Sequence, residues 1–354
     1  MPGSPARIIS AVPAETVDWL LEPENPAVAV LTRRTLLGES KDDDSTAALW
    51  ARRNQYPPVA AILDAQLDDG SWAAPSQDYR KYTGSLWQVH LLGELWADGA
   101  DPRVAKAAEY AFSRQLPDCS WSASNKQPRG SIPCLTSNVA RALARMGWAR
   151  DERVLAALVG VVELYRETGV VDCRGGRSFQ LNGYCHMLTA KELLFLGEVP
   201  RDLWPHGAEQ LRDTCVAHLR DKGIFRCLPA EAREFNDAVW TAKPAERSAL
   251  RRRFLAEHPE LNYQDKPGWK KFGYPLSYNS DALEALWALT RVGDSPRPEY
   301  EPAVGLVRAA ADKQMRWPLR NTLNGKMYAD VEARGKPSKW LTLRALQVLE
   351  WAAG

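Results

Sequence analysis

The sequence predicts an all-α fold, a single α/α toroid of about six helical hairpins with inner and outer rings of helices. Three observations carry this reading. Gln66-Leu67-Asp68-Asp69-Gly70-Ser71-Trp72 recurs as Gln115-Leu116-Pro117-Asp118-Cys119-Ser120-Trp121, 49 residues later. Asp101-Pro102-Arg103-Val104 recurs as Asp151-Glu152-Arg153-Val154, 50 residues on. Strand signals are nearly missing along the whole chain. A period of this length marks a repeated helical unit. Such a unit buries its apolar face only against its neighbours, and bending the stack into a ring leaves no end uncovered.

Each unit reads as an outer helix, a turn and an inner helix. Asp101 supplies a carboxylate at an N-cap, and Val104, Ala107, Ala108 and Ala111 follow at helical spacing until the Pro/Asp turn after Gln115. The next helix starts near Leu135 and carries Val139, Leu143 and Met146 before Gly147. The same pattern places inner helices near Ser85–Leu95, Cys185–Leu196, Asp281–Val292 and Lys339–Trp351. Degraded copies of the turn fall at Glu167–Cys173, at Arg220–Cys227 and at Lys313–Leu319 around Gln314 and Trp317. Residues 1–354 read as one domain, and 230–275 breaks the repeat as a rim insertion or lid. That insertion holds Arg251-Arg252-Arg253 and a Lys266-Pro267-Gly268-Trp269-Lys270-Lys271 run. The plain reading of the arginines is a solvated helix face; the sharper one is binding of an anionic group.

Composition narrows the function classes. Lys+Arg number 46 against 44 Asp+Glu, so the net charge of +2 predicts neither nucleic-acid nor membrane-surface binding. No apolar run reaches the ~18 residues of a membrane span. Met1 to Thr16 lacks the features of a signal peptide, which favours the cytoplasm. The six cysteines then read as free, catalytic or metal-bound. Tryptophan, 14 residues against 7 Phe, either wedges helices together or lines a pocket.

The Gln-x-x-Asp-Gly-Ser-Trp stretch at 66–72 resembles the QW motif of the squalene/terpenoid cyclase and protein prenyltransferase superfamily. Lys336-Pro337-Ser338-Lys339-Trp340, followed by Leu341–Trp351, resembles the last inner helix of such proteins, so the resemblance runs from about Val17 to the end. It implies a turn clamp between helices, and it names a fold more than a reaction. It also implies an apolar, aromatic-lined central cavity for an isoprenoid-like or other small apolar substrate. Class II terpenoid cyclases protonate an alkene with an Asp-x-Asp-Asp motif, which this sequence lacks. Asp42-Asp43-Asp44 reads as a solvated helix start. Asp281, in Tyr278-Asn279-Ser280-Asp281, is the better placed catalytic acid, with a helix-terminal carboxylate as the plain alternative.

Aligning the units on Gly147, Gly197 and Gly293 brings Cys134, Cys185, His186 and Asp281 to the starts of inner helices, which in a toroid converge on one mouth. Cys119 and Cys173 lie in the loops before them. Thiolate plus imidazole is the set zinc prefers, and three protein ligands with one open position is the catalytic pattern. Within the resembling toroids, prenyltransferases hold zinc with Asp, Cys and His, and lanthipeptide cyclases with two Cys and one His. Cys185-His186 resembles the adjacent Cys-His of the latter, with Met187 where that family has glycine. Zinc ligands are therefore expected at Cys173, Cys185 and His186, then Cys134, with His186 and Asp281 as catalytic groups. Cys215 and Cys227 read as structural, and His90 as a core or cavity-lining residue. Three functions follow: a cyclase or transferase, a zinc-dependent thiol-activating or hydrolytic enzyme, and a non-catalytic helical scaffold.

Overall fold

The computed structural model describes residues 6–40, 43–123, 131–169, 171, 185–227, 242–258 and 264–354. In chain order its α-helices are α1 (Ala14–Leu21), α2 (Pro26–Thr35), α3 (Asp44–Ala51), α4 (Pro57–Asp64), α5 (Ser85–Glu94), α6 (Pro102–Ser113) and α7 (Pro133–Leu143). They continue with α8 (Glu152–Thr168), α9 (His186–Leu196), α10 (Ala208–Asp221), α11 (Pro244–Glu257), α12 (Ala282–Arg291), α13 (Glu301–Ala309) and α14 (Lys339–Ala352). The inner helices expected at Ser85–Leu95, Cys185–Leu196, Asp281–Val292 and Lys339–Trp351 begin and end within one residue of these limits, and the one expected from Leu135 to Met146 starts two residues earlier and ends as α-helix at Leu143. Among the described residues, strand is confined to two-residue antiparallel ribbons, Arg226–Cys227 with Gln264–Asp265 and Trp317–Pro318 with Pro337–Ser338. The chain is all-α, and among the described residues no helix is long and apolar enough to cross a membrane.

The inner ring is α5, α7, α9, α12, α14 and α2, each packed on the next. Arg344 of α14 reaches Glu94 of α5, linking a late member of the series to its first. Each outer helix leans on the inner helix that precedes it in the chain: α6 on α5, α8 on α7, α10 on α9 and α13 on α12. Inner helices run parallel. A Cβ at Gly93, near the end of α5, would lie 2.4 Å from Ala142 near the end of α7; one at Gly197 would lie 2.7 Å from the Arg291 Cβ that ends α12.

The repeated turn is built by the same bonds three times. The indole N–H of Trp72 donates to Ile62 O (2.6 Å), that of Trp121 to Ala111 O (2.8 Å) and that of Trp317 to Val307 O (2.7 Å). The backbone N–H of each Trp donates to a hydroxyl on the following inner helix, Ser85, Thr136 and Thr342 in turn, at 3.1 Å. Gln66 and Gln115 tie the turn to the next outer helix, donating to Arg103 O and Arg153 O at 3.0 Å. The residue two before each Trp takes left-handed φ, as Gly70 (+89°), Cys119 (+60°) and Met315 (+55°). That accounts for Cys119, whose place is set by the turn. In the third copy the equivalent of Gln66 is Ala311, so Gln314 is not its clamp.

Of the expected 230–275 insertion, the structure describes 242–258 and 264–275. An antiparallel ribbon pairs Arg226–Cys227, just before the insertion, with Gln264–Asp265 inside it. Past the ribbon, Phe272 to Ser277 turn inward and are buried within the ring. Tyr274 stacks on Trp340 at 4.8 Å and donates to Glu94 O, while Asn138 of α7 donates to Ser277 O at 3.0 Å.

Candidate functional site

Four inner helices present one polar stripe each at spacings of three and four, the period of a single helix face. They are Trp87, His90 and Glu94 on α5, and Cys134, Asn138, Arg141 and Arg145 on α7. On α9 they are Met187 and Lys191, with Glu198 seven residues on and just past the helix end; on α12 they are its cap Asp281, then Glu284, Trp287 and Arg291. A π-helical turn, Ala144–Trp148, prolongs α7 to bring in Arg145. Charges across these stripes meet, their side chains all buried except that of Arg291. Lys191 Nζ lies 2.6 Å from a Glu284 oxygen. Glu94 receives Arg141 (2.7 Å), Arg344 (2.9 Å) and Arg145 (3.5 Å). Glu198 receives Arg145, and Arg291 at 3.7 Å. The Arg344 guanidinium lies 4.4 Å from the Trp287 ring centre, with Arg145 and Arg141 at 5.6 and 5.7 Å. Burial opposes ionisation of Glu94, but its three arginines outweigh that and hold the carboxyl well below the usual range. Burial pulls Arg141 down to about 10 and the His90 imidazole down to about 3.

The opposite, N-terminal end of the ring is aromatic. Trp87 meets Tyr82 at 5.3 Å, Tyr79 at 5.6 Å and Tyr278 at 6.4 Å, and Lys81 Nζ stands 3.8 Å over Tyr278. Three residues beyond Tyr278, Asp281 caps α12. Its carboxylate accepts Glu284 N–H (2.8 Å) and Gly273 N–H (2.9 Å). Burial pushes its carboxyl up to about 7 against those two bonds. The expected helix-terminal role is thus visible.

Cys134 lies in the first turn of α7, on the stripe that faces the bore. Cys185 and His186 start α9 as expected, but His186 turns to α10. Its Nδ1 is 3.0 Å from His218 Nε2, its Nε2 bonds the Ile224 carbonyl, and its ring centre is 4.5 Å from that of Trp269. Burial pushes His186 down to about 4, so it is neutral. A carbonyl only accepts, so Nε2 carries the proton and Nδ1 accepts from His218. Both nitrogens are occupied. Near Cys185, burial and the thiol push Glu192 up to about 8, and Cys215 Sγ is 3.9 Å from Glu192. Zinc would need three donors. Among the described residues no three His, Cys, Asp or Glu side chains are grouped to hold a metal, and Cys173 lies outside them. The described donors alone do not make the set.

Sequence reasoning singled out the rim and overlooked Arg141, Arg145, Lys191, Glu198, Glu284 and Arg344. The signal was there: charged residues three and four apart inside helices whose other faces are also apolar, which leaves them no outward side.

No family model and no curated protein matches the chain. Among solved structures it is similar to the type II terpene cyclase MstE from Scytonema. A substituted form with its product, merosterolic acid A, matches at 13% identity and a TM-score of 0.35 over 86% of this chain and 97% of that one. The ligand-free form matches at 13% identity and 0.33 over 86% and 98%.

Proposed function

We propose that this is a ring-shaped enzyme of the terpenoid cyclase or prenyltransferase type, acting on an isoprenoid-like or other apolar substrate at the aromatic end of the bore. One observation carries the reading: a buried carboxyl with its pKa raised to about 7, Asp281, stands three residues from Tyr278 in a wall of Tyr79, Tyr82 and Trp87. Alkene protonation asks for an acid shielded from water and for π faces that shelter a cation. Each cation–ring contact contributes about 1–2 kcal/mol once desolvated. Burial keeps the proton on Asp281, and the two N–H groups aimed at its oxygens stabilise the carboxylate that release leaves behind. The test is incubation with prenyl diphosphates and neutral polyprenes of several lengths, followed by product analysis. A cyclised or transferred product supports the reading. Binding without turnover would favour a scaffold, and neither binding nor turnover removes the proposal.

A second reading keeps zinc. Cys185 and His186 stand together at the start of α9, and ligation requires His186 to give up its Nδ1 bond with His218 and turn toward Cys185. With Cys173, Cys185 and His186 as ligands, the metal would supply a lowered thiol or water pKa to a bound electrophile. Metal analysis of the purified protein decides it. Less than about 0.2 zinc per chain ends this reading, because thiolate sites retain their metal.

A further inference from the structure

Below the aromatic mouth the bore carries more positive than negative charge. Arg141, Arg145 and Arg344, each with a side chain at most 5% exposed, face two carboxylates, Glu94 and Glu198; Lys191 and Glu284 cancel each other. Buried charges are ordinarily matched, because each unmatched one keeps its full desolvation cost. The carbonyl ends of the inner helices offset part of the surplus, yet Arg141 Nη2 has no hydrogen-bond partner among the described residues.

The same region holds unpartnered polar atoms from three separate elements. Neither ring nitrogen of His90, on α5, has a hydrogen-bond partner of good geometry among the described residues, one of them facing the Asn138 carbonyl only loosely; Asn138 Oδ1 on α7 and Ser277 Oγ on the segment that crosses the bore have none. All three residues are 1% exposed. They are neighbours: Asn138 donates to Ser277 O, and His90 feels the charges of Arg141 and Lys191. Buried polar atoms with nothing to bond are rare in folded proteins and ask for an explanation. Water can satisfy hydrogen bonds. It cannot neutralise a charge.

We propose that the bore binds a hydrogen-phosphate group between Arg141, His90 and the Asn138–Ser277 bridge. Arg141 Nη2–H, one His90 N–H and the Ser277 hydroxyl donate to its oxygens. Asn138 Oδ1 and the other His90 nitrogen can only accept. Each of the two therefore needs a proton from the ligand; hydrogen phosphate carries one and dihydrogen phosphate two, whereas sulfate at neutral pH carries none. A carboxylate would satisfy the donors and leave both acceptors unmet. The site is separate from Asp281, and an anion can bind whether or not that residue does chemistry.

The experiment measures the melting temperature of the full chain in phosphate, sulfate and chloride at matched ionic strength. A phosphate monoester, glycerol phosphate, is added as a further arm, and all arms are run at about pH 5.5, where phosphate and its ester carry a proton and sulfate does not. Phosphate near hundredfold saturation should raise Tm by roughly 3 °C or more, and sulfate by much less. Arg141→Gln should remove the phosphate effect. Should that variant fail to fold, His90→Phe, which leaves the Glu94 and Glu198 ion pairs intact, should remove it too. Tighter binding of either phosphate or its ester supports the site and identifies the source of the group. Equal effects of phosphate and sulfate, no effect of phosphate, or a phosphate effect that survives His90→Phe would each overturn the proposal.

Discussion

Lys191 Nζ lies 2.8 and 2.6 Å from the two carboxylate oxygens of Glu284, with both side chains at most 2% exposed. The pair staples α9 to α12 in the middle of the bore. Removing one partner strands the other as a buried charge, so Lys191→Met should cost about 3–5 kcal/mol in a urea titration. Adding Glu284→Leu should recover most of that loss. Single and double variants whose losses simply add would show that the two charges do not act on each other.

Asp281 serves α12 as a cap and, in the proposed reaction, as the acid. Asn keeps one acceptor oxygen for Glu284 N–H, so Asp281→Asn should cost roughly 1 kcal/mol, while Ala should lose the cap at ~2 kcal/mol. If the acid is the catalyst, Asn abolishes product formation in a protein that remains folded. A folded Asp281→Asn variant with undiminished turnover would remove Asp281 from the chemistry.

Stability should peak at mildly acidic pH. Buried His90, His186 and His218 have folded-state pKa values pushed down to about 3, 4 and 2. The unfolded chain therefore takes up their protons first, and stability falls on acidification below about pH 6.5. Burial works the other way on Glu192, Asp281 and Glu332, raised to about 8, 7 and 7. Their contribution is full below about pH 4 and is lost as pH rises through the folded values. Between roughly pH 4.5 and 6.5 the two sets oppose each other. Above that window only the acids titrate, and Tm should fall from pH 6.5 to 8. The slope is bounded by about 1.4 kcal/mol per pH unit for each group. Glu192→Gln should flatten that decline, and an unchanged slope would show that Glu192 is not a contributor.

Gly93 lets α5 and α7 touch. A methyl there would fall 2.4 Å from both Cα and Cβ of Ala142. Backbone has to move, so Gly93→Ala should cost about 1–3 kcal/mol even though alanine favours helix. Gly305 of α13, with nothing within 4 Å of such a methyl, is the control and should gain up to ~1 kcal/mol. Both are read from denaturant midpoints.

The ring was legible because one turn is written twice almost letter for letter, and because each Trp reaches back ten residues to the same bond. The third copy shows where legibility fades. Trp317 keeps its three-way fit, but Ala311 stands where the clamp Gln would be, so Gln314 caught the eye instead. Cys185-His186 fixed a helix start and not a direction; one residue's rotation, 100° on a helix, decides between the bore and α10. The charged bore escaped for a different reason. Hydrophobic periodicity takes a polar stripe to be the wet face, and nothing local distinguishes Lys191 facing Glu284 from a lysine in water. Only the ring's closure, which sets that stripe against three others, makes it an interior.

Because α5, α7, α9 and α12 all run the same way while the outer helices return between them, the molecule is wired like a coaxial line. In an up-and-down bundle neighbouring peptide dipoles cancel side by side. Here they add along the inner wall, and the opposed outer ring screens the sum from bulk solution. A solute inside the bore meets an axial field that one outside does not. Electric birefringence should accordingly report a small permanent moment for the whole particle, while a charge-sensitive probe placed on α7 at Cys134 should sense a steep local potential that added salt scarcely changes.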